Sequence, residues 1–186
     1  MVPVMSLLLP IAVSAVIVFI VSALFHMVLP HHKGDFKKLP SEDAARSALG
    51  GDIAPGDYMM PFAATNAERS AEAHKQKMMD GPVALVTVRA RGPMTMGKEL
   101  GLWFVYCLVV GVFAAYIAGR TLAPGAHYLS VFRFVGATAF FCYAVGQWQD
   151  SIWFSRPWST TLKNTFDGLV YALLTAGTFG WLWPDM

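Results

Sequence analysis

Residues 100–120 read LGLWFVYCLVVGVFAAYIAGR, and how this stretch is read decides the fold. It is apolar for about the 20 residues that cross a bilayer as a helix. Gly111, Ala115 and Gly119 recur within it at four-residue steps, a ridge of small side chains that lets another helix approach closely. The stretch is therefore expected to be a transmembrane helix on which the other apolar segments pack.

The whole chain agrees with that start. With 186 residues, 55% of them hydrophobic and a mean hydropathy of +0.47, it is too apolar for a soluble domain and too short for more than a handful of spans. A net charge of +2 argues against a nucleic-acid partner. The distribution of charge is more informative. Of the 14 Lys and Arg residues, ten (Lys33, Lys37, Lys38, Arg46, Arg69, Lys75, Lys77, Arg89, Arg91 and Lys98) fall between the first apolar stretch and the second. Basic residues near span ends set orientation, so this insert is predicted to be cytoplasmic. Cys107 and Cys142 lie inside predicted spans and read as small apolar packing groups.

Outward from this helix toward the N-terminus, residues 2–29 form a long apolar segment without the basic start and small-residue cleavage site of a signal peptide, so it is expected to be a retained anchor. Pro10 should kink it. His26, His31 and His32 follow near its inner end. Imidazole is the commonest protein metal ligand, which makes the three candidates for a metal, a haem or a chlorophyll magnesium, with His26 the one placed for haem or pigment, but no second ligand stands at a recognisable spacing. The favoured reading is interfacial or hydrogen-bonded histidines, with no metal site. Lys33, Lys37 and Lys38 are expected to meet anionic lipid headgroups.

The polar insert should contain a helix capped by Ser41 and running to Leu49, then an extended segment broken by Pro55, Gly56 and Pro61. Thr65 and Glu68 form a capping box for a second helix ending at Asp80 and Gly81. Residues 83–90 alternate as a strand that can pair with residues 58–62. No phosphate loop, nucleophile elbow or paired-carboxylate pattern occurs in the insert.

Beyond Arg120, the turn around Pro124 and Gly125 leads into a third span at residues 128–148, with Arg133 close enough to its outer end to snorkel. Residues 147–163, QWQDSIWFSRPWSTTLK, place Trp148, Trp153 and Trp158 among charges, as expected of an interfacial loop. The fourth span, residues 166–183, repeats the small ridge at Ala172, Ala176 and Gly180, and the two ridges are expected to face each other or a neighbouring subunit. Asp167, one turn after Lys163, reads as its interfacial salt-bridge partner, and Trp181 and Trp183 mark the outer interface.

The expected fold is thus a mainly α membrane protein: transmembrane helix 1 over residues 1–30, a cytoplasmic α+β insert over 31–97, and transmembrane helices 2 to 4 over 98–186. Both termini are placed in the periplasm.

The segments MVLPHHKGDFKKLP, PGDYMMP, GLWFVYCLVVG with YIAGRTLAPG, and FDGLVYALLTAGTFGWLWP resemble a family of small four-span bacterial inner-membrane proteins. The resemblance implies residence in the bacterial inner membrane and carries over no catalytic residue. In layout alone, one helix followed by a cytoplasmic α+β segment is similar to the H subunit of purple bacterial photosynthetic reaction centres. This chain has three further spans and a smaller cytoplasmic part.

The function expected is that of a non-catalytic accessory or assembly subunit of a larger energy-converting membrane complex, photosynthetic or respiratory. Its partners would be other integral membrane subunits and anionic lipids, with bound lipids or neighbouring pigments but no cofactor of its own. Two alternatives stand beside it. A small transporter or ion-conducting oligomer would use Pro10, Arg133 or Asp167, and a haem- or pigment-binding protein would use His26.

Overall fold

The computed structural model describes residues 1–93 and 95–185. They form two compact units, one made of Met1–Phe36 and the chain from Thr95 onward, the other of the chain between.

In the first unit, α1 (Leu8–Ala23) is entered by a 3-10 turn at Val4–Leu7 and prolonged by a π turn at Leu24–Val28. In the second come α2 (Glu42–Leu49), β1 (Gly56–Met60), α3 (Asn66–Ser70), α4 (Glu72–Asp80) and β2 (Ala84–Val88). The chain then returns to the first unit as α5 (Gly97–Thr121), α6 (Tyr128–Tyr143), α7 (Trp148–Phe154) and α8 (Trp158–Trp181).

The long helices form a ring in which α1 packs on α5, α5 on α6, α6 on α8 and α8 on α1. Val4–Val28, Gly97–Thr121 and Tyr128–Phe154 are each long and apolar enough to cross a membrane. The helix α8 has the length, at 24 residues, but its first turns read STTLKNTFD, and it joins the bundle as a partly polar fourth member. Pro10 produces no mid-helix break. It is the third residue of α1, where the backbone has no N–H bond to lose.

Diagonal placement of α5 and α8 separates the two small-residue ridges. Each faces a ring neighbour instead. A Cβ on Gly111 would lie 3.1 Å from Ile11 Cγ2, and one on Gly119 would collide with the Val2 carbonyl oxygen, which is held close by the Val2 N–H donating to Gly119 O at 2.8 Å. Ala115 between them is fully buried. On α8, Ala176 meets Gly136 of α6, and Gly180 lies under the Tyr128 ring, while Ala172 is buried against the Tyr143 and Tyr171 layer. The core divides into two layers. Leu7, Ala118, Val131 and Phe179 belong to one, and Val18, Cys107, Ala139 and Tyr171 to the other.

Trp183 departs from its expected interfacial place. It is 7% exposed, its indole N–H donates to Ala123 O at 3.0 Å, and it completes the first core layer. The short turn at Pro124 and Gly125 draws the C-terminal segment inward, since Gly125 N also donates to Pro184 O at 2.8 Å.

In the second unit, Thr65 Oγ1 accepts from Glu68 N at 3.1 Å, while the Glu68 carboxylate accepts from Ala64 N at 2.8 Å, one residue before the expected partner. The expected long helix is two, because Ala71 is extended (ψ 139°) and serves as the N-cap of α4. Ser41 precedes α2 without a side-chain cap bond. The strands β1 and β2 pair antiparallel with Tyr58 opposite Val86. Among the described residues of this unit none is buried, and Phe62 and Met79 are 72% and 84% exposed.

Candidate functional site

The site begins with the backbone of the π turn. A turn of this kind holds one residue more than an α turn and recurs at functional positions. Leu29 N closes it on Leu24 O at 3.0 Å. Leu29 is then extended (ψ 141°), and a 3-10 turn at Pro30–His32 doubles the chain back. As a result the His26 and His32 rings stack, with centroids 4.4 Å apart and planes 14° from parallel, and His31 lies against His32 at 4.1 Å.

Opposite them, from α8, comes Asp167, which is 2% exposed. Its Oδ1 is 3.1 Å from His31 Nε2, and its Oδ2 is 2.6 Å from His32 Nε2. The other nitrogen of His32, Nδ1, is 2.6 Å from Asp35 Oδ2. Asp35 Oδ1 in turn accepts from Lys163 Nζ at 2.8 Å. The expected Lys163–Asp167 pair is therefore replaced by a crossed arrangement, in which each α8 residue pairs with the segment following α1. An imidazolium at His32 donating to both carboxylates, together with Lys163, balances the two negative charges.

This geometry fixes the titration of the two groups outside the helices. Burial pushes the His32 imidazole down, but hydrogen bonds to Asp35 and Asp167 and their charges outweigh it, holding the group above its ordinary 6.5. Burial likewise pushes Asp35 up, and Lys163 and His32 more than reverse this, so its carboxyl lies below the ordinary 3.8.

Around the network, Phe25 sets its edge against His31, and Tyr171 lies beneath among Phe25, Trp103 and Tyr143. The Tyr171 hydroxyl, one turn after Asp167, is buried without a hydrogen-bond partner among the described residues. His26 Nδ1 is 3.1 Å from Ser22 O, and Ser22 Oγ accepts from the Trp103 indole at 2.8 Å. His26 also lines a groove of about 330 Å³ with Met27, Glu99, Leu100 and Trp103. One ligand atom from each of His26, His32 and Asp167 lies within 4.8 Å of the other two, so among the described residues these three form a group that could hold a metal ion.

Of the residues singled out in the sequence, His26, His31, His32, Lys163 and Asp167 belong to this cluster. Lys33, Lys37 and Lys38 are exposed and outside it. Trp153, Trp158 and Trp181 are 75%, 50% and 75% exposed, and Trp148, less so, donates to Thr165 Oγ1 at 2.9 Å. Sequence reasoning missed the joint role of His31, His32, Asp35 and Asp167. The available signal was the run HHKGD directly after Pro30, combined with a carboxylate at the start of an apolar stretch. Comparison of the chain with protein-family models, curated proteins and solved structures finds no match.

Proposed function

We propose that the chain is a non-catalytic, integral membrane accessory subunit, with α8 as its fourth span, that stabilises a larger bacterial inner-membrane assembly. The observation that carries this reading is the contrast between the two units. The helical ring has two buried layers, whereas residues 37–93 hold no buried residue among those described. A unit of that size without a core gains little stability from its own packing. Its exposed Phe62, Met59 and Met79 are the surface by which it docks on a neighbouring protein.

The interior of the ring favours this reading over transport. Ser14, Thr175 and Thr178 donate to carbonyls of their own helix, at Ile11, Tyr171 and Leu174. Asp167 is the one buried charged residue among those described, and it is engaged at one end of the ring. With the basic insert on the cytoplasmic side, both termini lie in the periplasm. Energy-converting assemblies, photosynthetic or respiratory, are the hosts to which the layout points.

The test is solubilisation from the native membrane in mild detergent, followed by identification of what co-migrates. Other integral membrane subunits should accompany the chain in fixed ratio. Recovery of the chain alone, monodisperse and with the insert fully folded, would defeat the proposal.

A further inference from the structure

We infer that His26, His32 and Asp167 form a binding site for a divalent first-row transition ion of the zinc class, at the end of the ring where the π turn meets α8. Three independent features of the site converge on this. The first is proximity: one donor atom from each residue lies within 4.8 Å of the others, from segments 135 residues apart in sequence.

The second is how the rings are held. A histidine that ligates through one nitrogen usually has its other N–H fixed by a carbonyl or carboxylate. Both rings satisfy this. His26 Nδ1 is engaged by Ser22 O at 3.1 Å, which leaves its Nε2 free, and His32 Nδ1 is engaged by Asp35 at 2.6 Å, which directs its Nε2 toward Asp167. Asp35 is itself anchored by Lys163. Each imidazole thus has a preset orientation, and the Asp35 and Lys163 pair forms a shell behind the ligand.

The third is access and donor chemistry. His26 is exposed and lines the groove beside Trp103, so an ion reaches the cluster without passing the buried Asp167. Two imidazoles and a carboxylate suit zinc or its neighbours better than calcium or magnesium, which prefer all-oxygen shells. His31 Nε2, 3.1 Å from Asp167 Oδ1, stands as a fourth donor. Donor atoms around a tetrahedral ion at about 2.1 Å lie roughly 3.4 Å apart. The 2.6 Å His32–Asp167 separation is shorter than that, because a proton now bridges them. The ion takes the place of that proton, and modest side-chain rotations open the pair and draw His26 in.

The full chain, purified in detergent and stripped with a chelator, would be titrated with Zn²⁺ against a chromophoric competitor and with Co²⁺ by visible absorption. One equivalent of Zn²⁺ should bind, with the intense visible bands of low-coordinate Co²⁺. His26→Gln, His32→Gln and Asp167→Asn should each weaken binding by about a hundredfold or more, and Asp35→Asn by about ten- to a hundredfold. His74→Gln and His127→Gln should change nothing. His26→Gln is the decisive variant, because the His26 ring makes its hydrogen bond to Ser22 O of its own segment and stands outside the ion pairs of Asp167, so its loss leaves that network in place. Absence of one-equivalent binding overturns the inference, as does binding that His26→Gln leaves intact. Neither result depends on whether the chain has a protein partner.

Discussion

At the scale of single residues, Asp167 is where the sequence and the folded chain diverge most. A carboxylate 2% exposed is tolerated only with its charge answered nearby, and the answer comes from His31 and His32. Helical spacing pointed to Lys163, because spacing sees only neighbours on one helix. The true partners lie 135 and 136 residues away and are presented by a π turn, which hydrophobic periodicity does not reveal. Asp167→Ala should cost about 3–5 kcal/mol of unfolding free energy. Asp150→Ala, which breaks the exposed pair with Arg156, should cost under about 1 kcal/mol. Thermal unfolding in detergent distinguishes the two. The pH dependence of the chelated protein follows from the same groups. The contribution of His32, faced by Asp35, Asp167, His31 and His26, is complete below 6.5 and fades as pH rises through its raised value. That of Asp35, faced by His32 and Lys163, is complete above 3.8 and fades as pH falls through its lowered value. The melting temperature should therefore be higher at about pH 5 than at about pH 9, and His32→Gln should flatten the difference.

At the scale of elements, the long apolar helices were the most legible part of the chain. Continuous apolar runs and small residues at four-residue steps are properties of local sequence, and α1, α5 and α6 follow them. Which helix each ridge touches is a property of ring order, which no single segment encodes. Trp183 illustrates the same limit. An aromatic near a span end reads as interfacial, yet the tight turn after α5 offers its indole N–H a carbonyl at Ala123. The close approaches give a contrast that can be measured. A Cβ at Gly168 would lie 2.8 Å from Ala144 Cβ and 3.0 Å from Tyr143 O, so Gly168→Val should cost about 1–3 kcal/mol by forcing α6 and α8 apart. Gly101, with nothing within 4 Å, should accept Ala with no loss or a gain of up to about 1 kcal/mol.

At the scale of the whole molecule, the division into a packed ring and a coreless insert governs where the chain should open. Amides of the helices in the two core layers should exchange slowly, and those of residues 37–93 faster by orders of magnitude in the isolated protein. Hydrogen exchange monitored by mass spectrometry measures both at once. The boundary of the insert was visible in its charge and turn residues. Its scarcity of large apolar side chains was legible too, and the structure adds that none of its described residues is buried. The extra residue accommodated between Leu24 and Val28 reaches further than its length suggests. Deleting one residue there would let the backbone close into an ordinary helix without local penalty, while everything after it rotated by about 100°. Such a chain would keep its helix content yet aim His31 and His32 away from α8. That single added position acts as the phase adjustment that brings two distant parts of the polypeptide into alignment.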